Sequence, residues 1–145
     1  MLHPDPGQAT TTLLRTAYNA VSAAIYRHVA QAAGPGLRPA HGNALEMLGI
    51  QDGVRLTDLA AQAGMTTQSM GELVDDLVAQ GYLRRQDDPA DRRAKRIYLT
   101  GTGRQAADAG HAATRHAEHQ LQAALGPLQY RQLRRNLAAI AHLGL

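Results

Sequence analysis

Leu56–Thr100, LTDLAAQAGMTTQSMGELVDDLVAQGYLRRQDDPADRRAKRIYLT, is the stretch that decides the fold. Its first nine residues read as a short helix, with Thr57 or Asp58 at the N-cap and Gly64 as the left-handed residue that ends it. A second helix follows almost at once. Thr66 caps it, Met70, Leu73, Val74 and Leu77 recur at the spacing of one apolar stripe, and Gly81 supplies the stop. Two helices joined by so short a turn cross steeply, the geometry that lets the second lie in a DNA major groove. A helical step of about 100° per residue puts Gln68, Gly71, Glu72, Asp75 and Ala79 opposite the stripe, with Thr67 and Ser69 flanking it near the start. Gln68 has the paired donor and acceptor that read an adenine edge, Thr67 and Ser69 can bond phosphates or bases, and Gly71 lets a backbone come close. Glu72, Asp75 and Asp76 repel phosphates, so the reading is that only the first two turns enter the groove.

The chain then continues as Tyr82-Leu83-Arg84-Arg85-Gln86, a turn-prone Asp87-Asp88-Pro89-Ala90-Asp91, Arg92-Arg93-Ala94-Lys95-Arg96 and Ile97-Tyr98-Leu99. In a two-stranded ribbon Leu83, Ile97 and Leu99 share one face, leaving Arg84, Arg96 and Tyr98 on the other. Six of the chain's fifteen Lys and Arg lie between residues 84 and 96. That is far denser than a solvated surface needs, and guanidiniums on a thin hairpin reach a narrow minor groove, where negative potential concentrates. Asp87, Asp88 and Asp91 offset this charge, and a merely solvated charged hairpin is the competing reading; the preceding helix pair favours DNA. A helix-turn-helix followed by such a hairpin is a winged helix.

The order helix-turn-helix, Gly81-Tyr82-Leu83, Asp88-Pro89-Ala90-Asp91-Arg92-Arg93 and Leu99-Thr100 resembles the MarR (multiple antibiotic resistance regulator) family of winged-helix transcription factors. The run from Asp88 to Thr100 is the most specific part, and the flanking helices extend the likeness over nearly the whole chain. The resemblance implies that Thr66 to Leu77 is the recognition helix and that Arg92 and Arg93 lie at the wing tip, with Asp91 orienting one of them through a bidentate ion pair. It implies a fold that is mainly α with a small β wing: a winged helix-turn-helix over residues 37–100, and a helical dimerisation part from residues 10–34 and 101–145. Thr66, Thr67, Gln68, Ser69, Gly71, Glu72, Arg84, Asp91, Arg92, Arg93, Lys95 and Arg96 are then the residues expected on double-stranded DNA. This chain departs from the family where it reads Gly71-Glu72-Leu73-Val74-Asp75-Asp76-Leu77, with anions in place of two cations, which implies an altered specificity.

Working outward, 145 residues suit one domain, and a net charge of +3 mildly favours an anionic partner. With no Cys, disulfides, thiolate metal sites and cysteine redox sensing are excluded. No long apolar run or signal-peptide pattern is present, so no membrane association is expected and the cytoplasm is the default. Residues 1–9 hold two prolines and a glycine and read as a loose arm. Leu14, Tyr18, Val21, Ile25 and Val29 mark a helix from Thr10 to Ala33, ended by Gly34-Pro35-Gly36. Pro39 fits the first turn of a helix to about Gly49 with Leu45 and Leu48 inward, and residues 53–56 can add a third strand to the wing.

Beyond the hairpin, Thr100 can cap a helix to about Leu125, although Gly101 and Gly103 weaken its first turn. Its inner stripe is small: Ala106, Gly110, Ala113, Ala117 and Ala124, with Leu121 alongside. Gly126-Pro127 breaks the chain before a last helix with Leu133, Leu137, Ile140 and Ala141 on one side. These terminal helices have no sheet to cover their apolar faces. An intramolecular bundle is one solution; the resemblance favours a homodimer built from the first helix and the last two, which sets two recognition helices on a pseudo-palindromic operator.

The resemblance further implies a ligand-responsive repressor whose small-molecule effector sits between dimer helices and winged part, and Tyr18, Tyr26, His28, His41 and Met47 are the candidates this sequence offers. Seven His residues raise a metal-responsive alternative. On one helix His111 and His116 are about 140° apart, so all three histidines of that helix cannot ligate one ion; His116 and His119 could, with further ligands from His28 or His41 or from an acidic side chain of a partner subunit. Solvated or hydrogen-bonded histidines are the better reading, and no metal or other cofactor is expected. Neither a phosphate-binding glycine loop nor a nucleophile elbow is present, which argues against an enzyme. The remaining alternative is a winged-helix protein-interaction module that meets a basic partner through its acidic recognition helix.

Overall fold

The computed structural model describes residues 7–144. Most of the proline-containing arm expected over residues 1–9 therefore lies outside the described residues. The described chain is mainly helical with one three-stranded antiparallel sheet. Its described residues fall into two compact units, divided between Ala113 and Thr114.

In the first unit, α1 spans Thr10–Ala33 and ends at Gly34, whose φ of 98° a side chain would strain. Val29 on its inner side is buried, whereas Tyr18, placed by periodicity on that side, is 65% exposed. A 3-10 turn, Pro39–His41, leads into α2, Gly42–Ile50, so the expected proline-started helix opens with a tighter turn. Gly42 belongs there because a Cβ would stand 2.4 Å from the Tyr26 hydroxyl. Strand β1, Val54–Arg55, passes without a loop into α3, Leu56–Gln62. Its N-cap is thus Arg55, with no side-chain cap bond, rather than Thr57 or Asp58; pairing of Arg55 with Arg96 in the sheet fixes where the helix must start. Asp58 instead sits in the first turn, where a negative charge complements the helix dipole.

Gly64, at φ 64°, turns the chain into α4, Thr67–Ala79, capped as expected by Thr66, whose hydroxyl oxygen accepts from the Ser69 amide at 3.1 Å. Met70, Val74 and Leu77 are fully buried. With Leu48, Leu59 and Ile97 they form the centre of the core. Strands β2, Leu83–Asp88, and β3, Asp91–Leu99, make the hairpin, and the sheet order is β1-β3-β2. Leu83 faces Leu99 and Arg84 faces Tyr98, so the two sides alternate as the pattern predicts. Only Pro89 and Ala90 lie between the strands, a tighter turn than the five residues expected, because a register irregularity at Asp87/Asp88 lets pairing run on to Asp88 and Asp91.

Thr100 caps α5, Gly101–Leu125, its hydroxyl oxygen accepting from the Gly103 amide at 3.0 Å. Gly103 is no mere weakness: a Cβ there would stand 1.9 Å from the Tyr82 carbonyl oxygen, so the close approach requires glycine. The buried positions of α5 are Gly103, Ala106, Ala107, Ala113 and Ala117; Ala124 of the expected stripe is exposed. In the second unit, Gly126 and Pro127 open α6, Pro127–Ala141, on which Leu133, Leu137 and Ile140 stay exposed. There Glu118 accepts hydrogen bonds from Tyr130 and, at 2.7 Å, from Arg134. No helix among the described residues is long and apolar enough to cross a membrane.

Candidate nucleic-acid interface

The α3–turn–α4 pair presents the first turns of α4 to solvent. Thr66, Thr67, Gln68, Ser69 and Glu72 are all exposed. The Thr66 hydroxyl is committed to capping and donates to the Ser69 hydroxyl at 2.9 Å, leaving Thr67, Gln68 and Glu72 as the polar side chains of this group with no hydrogen bond among the described residues. Gly71 is half-buried, and a Cβ there would touch Leu56 at 3.7 Å, an ordinary contact, so its packing is against α3.

Further along α4 two of the acidic residues are held by cations at or near the surface. Asp75 pairs with Arg85, which lies opposite Ile97 on the sheet face towards the core. Asp76 accepts from Gln80 at 3.1 Å, from the His41 ring at 2.8 Å and from Arg38 at 3.3 Å. The Gln80 and His41 hydrogen bonds, with a smaller contribution from Arg38, hold its carboxyl below the usual range. Glu72 alone among the three anions makes no ion pair within the described residues. Of the acidic residues of α4, Glu72 is thereby the one whose charge no cation pairs among the described residues.

The wing is organised around a carboxylate the sequence reading treated as a solvated offset. Asp88 is fully buried; its Oδ2 accepts from Arg55 Nε at 2.7 Å and lies 3.1 Å from Arg96 Nε, while Oδ1 accepts from the Ala90 amide at 2.9 Å. The Ala90 N–H and the two guanidiniums hold this carboxyl below its usual range despite burial. Arg96 also donates to the Gly53 carbonyl at 2.8 Å. It is half-buried and ties β3 to β1. Arg84 stacks 4.7 Å over the Tyr98 ring and donates to Gln86, and Lys95 pairs with Asp87. At the tip, Asp91 accepts from the Arg93 backbone amide at 3.0 Å instead of forming the expected bidentate ion pair. Two residues along the chain, the amide is the nearer donor, so the carboxylate closes a turn. Arg92 and Arg93 are exposed, with no ion pair at either guanidinium among the described residues.

The five effector candidates do not converge on one hollow. Tyr18 is exposed, Met47 is half-buried, and His28 sits on the outside of α1 with Nδ1 3.1 Å from the Ala24 carbonyl. Tyr26 packs on Gly42, and its hydroxyl is pushed up to about 12, mainly by burial. His41 is fully buried with both ring nitrogens engaged. No three His, Asp or Glu side chains among the described residues are placed to hold a metal.

A sequence profile described as the MarR family matches residues 36–94, the winged part from the 3-10 turn to the wing tip. Over that span the chain is similar to the MarR family. Its structure is similar to that of a probable transcriptional regulator from Pseudomonas aeruginosa, at 29% identity over 92% of this chain and 97% of that one, with a TM-score of 0.74. It is also similar to the transcriptional repressor CouR bound to a 23-mer DNA duplex, at 25% identity over 97% of this chain and 100% of that one, TM-score 0.79. The fold of CouR from Rhodococcus jostii RHA1 bound to p-coumaroyl-CoA matches as well, at 24% identity over 99% of each chain, TM-score 0.72. No curated protein sequence matches the chain. The MarR-type winged helix, mainly α with a small three-stranded wing, is thus the fold of this chain. Sequence reasoning missed Arg55 and Arg38 as partners of the wing and recognition-helix carboxylates. The available signal was Asp88 itself, an acidic residue before proline among six cations.

Proposed function

We propose that this chain is a MarR-family DNA-binding transcriptional regulator, a homodimer that represses by holding a pseudo-palindromic operator and releases it when a small molecule binds. The observation that carries the reading is the division of charge along the interface. Asp75, Asp76 and Asp88 are each tied to cations within the fold, while Thr67, Gln68, Arg92 and Arg93 are exposed and uncommitted. Thr67 and Gln68 meet base edges in the major groove, and the paired arginines reach the flanking minor groove. CouR, with the same fold, is a repressor bound to duplex DNA in one structure and to an acyl-CoA in another, which supports both the DNA and the ligand in this reading.

In this scheme residues 37–100 bind DNA, and residues 10–34 and 101–145 dimerise. Leu133, Leu137 and Ile140 form the apolar ridge that a second copy covers. The protein works in the cytoplasm and catalyses nothing; it converts ligand occupancy into operator occupancy. The deciding experiment is selection of bound sequences from a random duplex pool, followed by titration of the winner at several salt concentrations. An enriched inverted repeat whose affinity falls with salt supports the reading. A folded, dimeric protein that enriches nothing, with or without candidate ligands, overturns it in favour of a protein-interaction module.

A further inference from the structure

His41 lies on the 3-10 turn, wholly shielded from solvent, and its two nitrogens do different work. The backbone N–H of Arg38 donates to Nδ1 at 3.0 Å, so Nδ1 is an acceptor and the ring proton resides on Nε2. That Nε2–H donates to Asp76 Oδ2 on α4 at 2.8 Å. Arg38, the residue whose amide closes the turn, reaches the same Asp76 oxygen with its guanidinium at 3.3 Å. Two bonds from one turn therefore converge on one carboxylate of the recognition helix. Asp76 is also one of the anions by which this helix departs from the family pattern. The same turn is backed by α1, since Tyr26 packs against Gly42, the residue after His41.

We infer that His41 is a positioning residue for the recognition helix: through Asp76 it fixes the angle at which α4 presents Thr67 and Gln68. The inference rests on the DNA-binding reading above. His41 cannot touch DNA itself, because it has no exposed surface. The helix core of Met70, Val74 and Leu77 holds α4 in the fold, but an apolar stripe permits small rotations that a directional hydrogen bond to a charged group forbids. Removing that bond lets α4 sample other angles, and apparent affinity falls by the fraction of time spent away from the competent one.

The test uses the full-length protein and two substitutions that divide the ring's functions. In His41→Asn an acceptor remains near the Nδ1 position and the donor to Asp76 is lost; in His41→Gln a donor remains near the Nε2 position. With Asp76 partly open to water, His41→Asn should bind the selected duplex about tenfold more weakly, at the lower end for a bond to a charged group. The salt slope should be unchanged, because no phosphate contact is lost. His41→Gln should recover most of the affinity. Wild-type affinity in His41→Asn overturns the inference and leaves the DNA reading standing, as does a His41→Gln as weak as His41→Asn. If wild-type protein binds no duplex, hydrogen exchange decides: faster exchange of the α4 amides in His41→Asn, with α2 unchanged, supports the latch without the DNA reading, and unchanged exchange refutes it.

Discussion

Replacing Arg92 and Arg93 together by alanine removes the two guanidiniums at the wing tip that no carboxylate among the described residues holds. Each free cation that neutralises a phosphate contributes about 0.9 to the slope of log affinity against log salt. On a dimer four such groups meet the operator, so the double variant should flatten the slope by about 3.6. Between 50 and 200 mM salt, a difference of that size means the variant loses roughly a hundredfold less affinity than the parent, having started far weaker. Lys95 serves as the control. Its ammonium is paired with Asp87, so Lys95→Ala should change the slope much less than either arginine. Fluorescence anisotropy of a labelled operator at four or five salt concentrations reads both variants. An unchanged slope in the double variant refutes the wing assignment. A Lys95→Ala effect equal to that of Arg93→Ala refutes the premise that ion pairing within the wing decides which cations reach DNA.

Three other outcomes follow from the geometry. Gly103→Ala should lower the melting temperature, because the close approach to the Tyr82 carbonyl imposes an overpacking penalty of about 1–3 kcal/mol that outweighs the propensity gain, whereas Gly101→Ala, with open space around its Cβ, should not. Calorimetry that finds both variants equal counts against the packing described. The lowered carboxyls of Asp76 and Asp88 give a sign for acid unfolding. In the acid range the unfolded chain binds more protons, so their stabilisation is complete above the ordinary carboxylate range and is lost as pH falls below about 4 through the folded-state values. Asp88→Asn should flatten that acid limb in melts taken between pH 2 and 6, and an unaltered limb sinks the claim. Leu137→Asp, placing a charge on the exposed ridge of α6, should shift the sedimentation profile from dimer to monomer; a dimer persisting at the same concentration shows that the ridge is not the interface.

What could be read from the sequence was whatever depends on near neighbours in the chain. The boundaries of α1, the Thr66 cap, the glycine stops at 64 and 81 and the alternation of the hairpin all follow from patterns within a few residues. What resisted reading was where charges meet. Asp88 finds Arg55 across 33 positions and Asp76 finds Arg38 across 38, and no local spacing announces either pair. The aspartates of α4 are therefore more fully paired than the composition of that helix suggests. The small-residue stripe of α5 is in phase at Ala106, Ala113 and Ala117, but its edges resisted reading for a related reason. Alanines and glycines flank it on several sides, so Ala107 could not be told from Ala124 without its neighbours. Tyr18 fits the helical period but lies towards the exposed end of α1's stripe, where periodicity predicts a side and not whether anything covers it.

Tyr82 stands between the last turn of α1 and the first turn of α5. Its hydroxyl donates to the Ala33 carbonyl at 2.8 Å, and its own carbonyl accepts from the Thr100 amide at 3.0 Å beneath Gly103. One side chain and one peptide unit thus join the ends of two long helices to the root of the wing. A lever needs a fulcrum that does not yield, and a carbonyl pressed against a bare glycine yields very little. A displacement of α1 relative to α5 would load this residue, from which the strand that begins at Leu83 leaves for the wing.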